Sequence, residues 1–212
     1  MINIEQNITK KWIIALIAPL LLASSCSRAQ ESNLEKDSTV VKSKILIVYL
    51  SRTNNTKALA EMIHEKVGGD LVALELQNPY PEDYQQIVAQ VQRENETNFL
   101  PPLKTKIDSI QKYDIIFLGF PTWGMQLPPP IKSFLSTYNL SGKTIVPFNT
   151  NAGYGLGSTI QTIKSLTPNA TILKEYSTKG GIERDGILYV MQSDKAVQVK
   201  SEVNNWLNSL SL

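Results

Sequence analysis

The chain has 212 residues, 42% of them hydrophobic and 19% charged, which suits one globular domain and excludes a disordered or fibrous chain. Its formal net charge is +2, with no long run of one sign. A nucleic-acid surface needs a basic stripe to neutralise phosphates, so we expect no nucleic-acid partner.

The first 25 residues are predicted to be a signal peptide. Lys10 and Lys11 precede an apolar run over residues 12–22, and small residues follow at 23–25. This order is typical of a secretory signal, and the run is shorter than the ~20 residues that span a bilayer as a helix. Without these residues the chain keeps 19 basic and 18 acidic residues, a nearly neutral balance.

The single cysteine of the chain, Cys26, directly follows this segment. The sequence Leu-Ala-Ser-Ser-Cys resembles a bacterial lipobox, which implies that Cys26 is lipidated and becomes the first mature residue. The alternative is an ordinary signal cleaved near Ala29, with no anchor. We therefore expect an exported lipoprotein of a bacterial envelope, with residues 26–43 as its linker. Because Ser27 is not acidic, we favour the periplasmic side of the outer membrane.

Five apolar runs predict strands in the rest of the chain, at residues 44–50, 71–76, 114–120, 143–148 and 170–173. Apolar residues at helical spacing predict helices after each of them, at about residues 58–67, 82–94, 131–135, 160–166 and 194–210. In the second helix the apolar stripe consists of Tyr84, Ile87, Val88 and Val91. Pro147 is unfavourable near the end of the fourth strand. The alternation predicts one α/β domain over residues 44–212, with a five-stranded, doubly wound parallel sheet between two layers of helices.

Ligands of such sheets bind beyond the carboxyl ends of the strands, where the strand order reverses. The loops after the first, third and fourth strands are therefore the candidate site. The first loop, residues 51–56, combines hydroxyl and amide side chains with a helix start, where backbone N–H groups can bind a phosphate. A polar turn with a helix cap is the alternative. The single histidine, His64, and Cys26 leave no credible metal site.

These three loops together resemble the flavodoxin family. Ser-Arg-Thr-Asn-Asn-Thr at residues 51–56 is similar to the flavodoxin phosphate loop (S/T)-x-T-G-N-T, with Asn54 in place of the glycine. Asparagine tolerates the left-handed backbone that glycine adopts there. The loop at residues 121–124 resembles the family loop that places an aromatic ring, here Trp123, beside the isoalloxazine. On its own, Trp123 could equally be a core aromatic.

The third loop, at residues 149–157, follows the fourth strand, where flavodoxins contact the polar edge of the flavin, and its Tyr154 is a candidate for covering the second flavin face. The resemblance implies a flavodoxin-like three-layer sandwich that binds FMN. The candidate cofactor-binding residues are Ser51, Arg52, Thr53, Asn54, Asn55, Thr56, Pro121, Thr122, Trp123, Gly124, Asn149, Thr150, Asn151, Gly153, Tyr154 and Gly155. The charged residues at 183–185 are interpreted as ordinary solvated charges.

The resemblance implies either a shuttle that passes electrons to a redox partner protein or a reductase that acts on a small electron acceptor, such as a quinone or a flavin. Flavodoxin shuttles are typically acidic, which steers them to basic partners, and the nearly neutral charge here does not supply that field. A binding module that keeps the fold without a working flavin is the alternative of another class. A phosphate-binding receiver domain is disfavoured because the acidic cluster it needs is absent from the strand ends.

Overall fold

The computed structural model describes residues 43–212, so the predicted signal peptide, Cys26 and the linker up to residue 42 lie outside the described residues. In the described part the strands are Ile45–Tyr49 (β1), Asp70–Ala73 (β2), Ile115–Pro121 (β3), Thr144–Asn151 (β4), Thr171–Ile172 (β5) and Tyr176–Lys179 (β6). The α-helices are Asn55–Val67 (α1), Tyr84–Thr97 (α2), Pro129–Thr137 (α3), Thr159–Leu166 (α4) and Ser193–Ser209 (α5). No helix within residues 43–212 combines the length and hydropathy needed to cross a bilayer.

All strands of the sheet pair in parallel, in the order β2-β1-β3-β4-β5, and β6 also pairs with β4. The chain moves outward from β1 to β2 and then returns to the other side of β1 with β3. The order therefore reverses between β1 and β3, at the position where doubly wound sheets bind ligands. The predicted doubly wound parallel sheet is confirmed.

The side chains of alternate residues in the buried strands pack into two separate cores, one on each face of the sheet. Leu46 and Val48 of β1 pack in the cluster that contains Phe134 of α3. Ile47, which points to the opposite face, packs in the cluster that contains Val203 of α5. The sheet is thus buried between two helix layers, as predicted for a three-layer α/β/α sandwich.

The fifth position of the sheet is filled by two short strands, and the sequence predicted only one, at residues 170–173. The Ile145 carbonyl of β4 accepts a hydrogen bond from Leu173 N–H at 3.0 Å, so Pro147, two residues further, faces the same edge. Proline has no N–H to donate there. The edge is interrupted opposite Pro147, with β5 before the gap and β6 after it.

Three of the differences from the sequence prediction concern element ends that lie near the candidate site. α1 begins at Asn55, inside the segment that was predicted as a loop. β4 continues to Asn151, so residues 149–151 are strand residues paired with β6 and not part of a glycine-rich loop. α2 begins after Asp83, whose carboxylate caps the helix by accepting from Gln86 N–H at 2.8 Å.

Gly119 in β3 leaves space for side chains of the neighbouring strands, and its replacement is predicted to weaken the sheet next to the site. A Cβ atom at this position would overlap the Phe148 ring of β4 and lie 2.9 Å from Cβ of Tyr49 in β1. We expect Gly119→Ala to lower the free energy of unfolding by about 1–3 kcal/mol, the usual cost of overpacking, as measured by urea denaturation. Val197→Ala on α5 is the control, because Val197 is 72% exposed and its loss should change stability by at most about 0.5 kcal/mol. Equal stabilities for the two variants would contradict the packing described here.

Candidate functional site

A cavity of about 600 Å³ lies at the carboxyl ends of β1, β3 and β4, beside the point where the strand order reverses. This volume is within the range of small-molecule and cofactor sites. All three predicted loops contribute to its wall. The predicted site residues that line it are Arg52, Thr53, Asn55, Thr56, Pro121, Thr122, Trp123, Gly124, Thr150 and Asn151.

The first loop presents backbone donors at the start of α1. Among the described residues, no protein acceptor is found for the N–H groups of residues 53–56, which precede or open the helix. Thr53, Asn55 and Thr56 line the cavity. Several unpaired N–H groups at the positive end of a helix dipole bind an anion well. The geometry of this loop therefore suits a phosphate group.

Asn54 turns the chain into α1 without lining the cavity. Its backbone is left-handed, with φ of 61° and ψ of −1°, and its side chain makes no capping hydrogen bond. The residue thus adopts the backbone conformation for which glycine is common at this position. Ser51 also lies off the cavity wall, and its Oγ accepts from Lys57 N–H at 3.2 Å.

The Asn55 side chain holds the first loop against a distant segment of the chain. Its Nδ2 donates to the Leu188 carbonyl at 2.6 Å and to Thr53 Oγ1 at 2.9 Å. Its Oδ1 accepts from Val190 N–H at 3.0 Å. The amide is buried and engaged within the protein, so we interpret Asn55 as shaping the phosphate loop through its side chain.

A hydrogen bond between two threonine side chains joins the first and third segments of the site. The hydroxyl oxygens of Thr56 and Thr150 lie 2.8 Å apart, and both residues are buried. This contact fixes the start of α1 relative to the end of β4.

Trp123 has two roles in the structure. It is half-buried and packs against one of the two hydrophobic cores, and it also lines the cavity. Backbone hydrogen bonds of 3.2 and 2.9 Å between Trp123 and Gln126 close a tight turn, with positive φ at Gly124 and Met125. Trp123 is thus partly a core aromatic, and its position on the cavity wall leaves its placement beside a flavin as a prediction.

A second aromatic ring, that of Tyr80, contacts Trp123 edge to face. Their ring centroids lie 5.6 Å apart with an interplanar angle of 79°. The Tyr80 hydroxyl donates to the carboxylate of Glu94 at 2.5 Å, and Glu94 is 6% exposed. Burial, with a smaller effect of Glu94, raises the pKa of Tyr80 far above its ordinary value, so Tyr80 stays protonated and keeps this hydrogen bond. The segment after β2 thus positions Trp123.

The end of β4 contributes to the site mainly through Thr150 and Asn151. Asn149 is fully buried and does not line the cavity, and its Nδ2 donates to the Phe120 carbonyl at 2.9 Å. Gly153 and Gly155 also lie off the cavity wall, and their N–H groups donate to Asn151 Oδ1.

Tyr154 is 66% exposed and does not line the cavity. The structure thus places it outside the site, although the sequence suggested that it covers a flavin face. It lies in a glycine-rich turn that follows β4, with positive φ at both neighbouring glycines.

Two parts of the cavity wall are absent from the predicted site residues. One is α2, whose apolar stripe was predicted from helical spacing without a place in the site; those residues line the cavity. The other is the segment after β6, where Gly180 and Gly181 line the cavity and the backbone comes close to Thr150 and Asn55. Gly180 and Gly181 were not predicted because strand β6 was not predicted. Site residues are expected at the end of a strand only where that strand has been predicted.

Arg52 connects three segments around the mouth of the cavity. Its Nε donates to Glu183 Oε1 at 2.7 Å, Nη1 donates to the Pro81 carbonyl at 2.9 Å, and Nη2 donates to the Glu82 carbonyl at 2.5 Å. The first loop is thus tied to the segment before α2 and to the segment after β6. Glu183 lines the cavity, so its interpretation as a solvated charge was wrong, whereas Asp185 forms an exposed ion pair with Arg184.

Comparison with known proteins agrees with this architecture. The profile of the flavodoxin family matches residues 44–191. The chain belongs to the flavodoxin family. This membership confirms the family resemblance drawn from the sequence, and it supports FMN as the cofactor. No curated protein matches the chain.

Solved structures resemble this flavodoxin over most of its length. A Bacteroides eggerthii protein assigned as a flavoprotein is 29% identical, with a TM-score of 0.64 over 80% of this chain and 99% of its own. A similar protein from Bacteroides uniformis is 22% identical, with a TM-score of 0.65 over 79% of this chain and 99% of its own. A flavoprotein from Lactobacillus acidophilus in complex with FMN is 20% identical, with a TM-score of 0.56 over 64% and 93% of the two chains. The last two show the shared fold.

Loss of the Arg52 contacts is predicted to loosen the rim of the cavity. We expect Arg52→Met to lower the free energy of unfolding by about 1–3 kcal/mol, because it leaves Glu183 and two carbonyls without a charged donor. Hydrogen exchange at residues 79–83 and 181–186 should become faster. Arg184→Met is the matched control: Arg184 pairs with its neighbour Asp185 on the surface, and its loss should cost at most about 1 kcal/mol. Unchanged exchange in Arg52→Met would show that Arg52 does not hold the rim.

Proposed function

We propose that this flavodoxin is an exported, lipid-anchored FMN protein that transfers electrons to a small acceptor in the bacterial envelope. The observation that carries the proposal is the convergence of three strand ends on one cavity, with unpaired N–H groups on one wall and an indole on another. Membership of the flavodoxin family supports FMN as the ligand. When bound, FMN supplies reversible one- and two-electron transfer.

The residues present fit the parts of this cofactor. The N–H groups of residues 53–56 would hold the phosphate, since they have no protein acceptor among the described residues. The Trp123 ring would lie against the isoalloxazine, where a flat aromatic surface adds specific geometry to burial. Gly180 and Gly181 bring a further backbone segment to the cavity wall, and Gly181 leaves space for the carbonyl oxygens of Ile187 and Leu188. The polar atoms of Thr150 and Asn151 supply the remaining contacts at the end of β4.

Two observations favour a small acceptor over a partner protein. The mature chain is nearly neutral, whereas a shuttle uses a strong charge to steer toward its partner. The cavity is also walled by α2, which adds apolar side chains beyond the three loops of the motif. A protein that only passes electrons at an exposed flavin edge has no need of such a wall.

The phosphate loop predicts a strong preference for FMN over riboflavin, which lacks the phosphate. We expect flavin fluorescence to be quenched saturably by the apoprotein, with FMN bound at least about 100-fold more tightly, because charge-assisted hydrogen bonds contribute about 1.5–3 kcal/mol each. Thr56→Val should weaken the binding of FMN, because it removes the Thr150 contact that fixes the start of α1 beside the cavity. Equal affinities for the two flavins would mean that the loop does not bind phosphate.

Electron transfer is tested by steady-state oxidation of NADH or NADPH by the FMN-loaded protein with small acceptors. We expect turnover per flavin above that of free FMN with ferricyanide, a dichlorophenol dye or a quinone. Turnover no faster than that of free FMN would favour a protein-to-protein shuttle. A purified protein that binds no flavin would favour a binding module without redox activity.

The lipid anchor is tested by cell fractionation. We expect the wild-type protein in the membrane fraction and the Cys26→Ala protein released from it, because the lipid on Cys26 would be its attachment. Two further variants sharpen the test: Cys26→Ser should behave like Cys26→Ala, and Ser27→Ala should remain with the membrane. Wild-type protein in the cytoplasm would contradict export.

A further inference from the structure

The first half of α2 presents an apolar stripe to the cavity, and Gln92, Asn95 and Glu96 line the cavity further along the helix. Tyr84, Ile87, Val88 and Val91 all line the cavity. Ile87 and Val91 are 4% and 7% exposed, whereas Val88 beside them is 43% exposed. From Tyr84 to Val91 this wall is about 10 Å long, by the rise of an α-helix. This length matches that of a flat molecule of two fused rings.

The wall ends in a side chain that is poised to donate a hydrogen bond. Asn95 lines the cavity one turn beyond Val91. Its Oδ1 accepts from Lys132 Nζ at 2.9 Å, which fixes the amide oxygen and leaves the NH₂ group as donor. The neighbouring lysine charge makes that donor stronger. A carbonyl oxygen is the ligand atom that matches it.

The charged residues on the described cavity wall are Arg52, Glu96 and Glu183. The guanidinium of Arg52 already bonds Glu183 and two backbone carbonyls, as described above. At the α2 wall, an anionic ligand would meet Glu96 with no free cation to offset its charge. A neutral molecule avoids this cost.

We infer that this face of α2 binds a neutral, flat, apolar molecule with a carbonyl oxygen, and that a quinone is its redox-active ligand. The inference rests on the proposed function, because it names the acceptor of the same site. It concerns residues outside the three flavodoxin loops. The apolar stripe of α2 buries the rings, and the Asn95 amide binds the carbonyl oxygen.

The test is calorimetric titration of the oxidised, FMN-loaded protein with menadione, a small naphthoquinone, together with the dissociation constant of FMN measured on each variant. Val88→Gln places a polar amide on the wall at an accessible position, where it should not disturb folding. Val197→Gln makes the same change on α5, at a site that is 72% exposed and outside the cavity. We expect saturable menadione binding, weakened about tenfold by Val88→Gln and unchanged by Val197→Gln, with FMN affinity within about twofold in all three proteins.

The other outcomes separate the two proposals. If FMN binds but menadione does not saturate, or if Val88→Gln leaves menadione affinity unchanged, the inference is wrong and the proposed FMN site stands. If Val88→Gln weakens the binding of FMN as much as that of menadione, the α2 wall belongs to the flavin site, and the inference is again wrong. Saturable NADH binding that Val88→Gln weakens, without menadione binding, would also overturn it. If the wild-type protein binds no FMN, the proposed function itself fails.

Discussion

Parallel pairing of β1 with β3, and of β3 with β4, is the constraint on which the rest of the structure depends. Parallel strands end at the same edge of the sheet, so three segments that are far apart in sequence must emerge side by side. The reversal of strand order next to β1 leaves room between the helix layers at that edge. The cavity follows from this topology, and the loops decide what it can bind.

Polar contacts between the loops then set the shape of the cavity. The Asn55 side chain forms hydrogen bonds with the segment at residues 188–190, and the Thr56 hydroxyl bonds that of Thr150. Arg52 links the phosphate loop to the segments before α2 and after β6. These side chains bond other parts of the protein, and the backbone N–H groups of residues 53–56 have no protein acceptor among the described residues, which leaves them for a ligand. The loop thus combines a rigid frame with unpaired donors.

Much of this arrangement was predictable from the sequence, for reasons that differ by element. Buried strands such as β1 and β3 are continuous apolar runs, and helix spacing marks α1 and α5, so the sandwich follows from pattern alone. The strand β6 has the sequence Tyr-Ser-Thr-Lys and lies at the edge of the sheet, where the burial pattern gives little signal. Its omission hid Gly180, Gly181 and Glu183 from the candidate site.

The apolar stripe of α2 did not by itself identify these residues as part of the site, for another reason. An apolar stripe predicts only that one face of a helix avoids water, and a core and a ligand cavity satisfy that requirement equally. The same ambiguity applies to Trp123, which packs on the core and lines the cavity. Tyr154 shows the converse case, since an aromatic in the expected loop turns out to be exposed.

Amide chemical shifts during an FMN titration test the central claim most directly, because they report on each segment separately. Proton–nitrogen spectra of the labelled apoprotein should show the largest, saturable changes at residues 53–56, 121–124 and 150–152, all with one dissociation constant. Changes confined to one of these segments, or centred on residues away from the cavity, would contradict a single flavin site built from three strand ends.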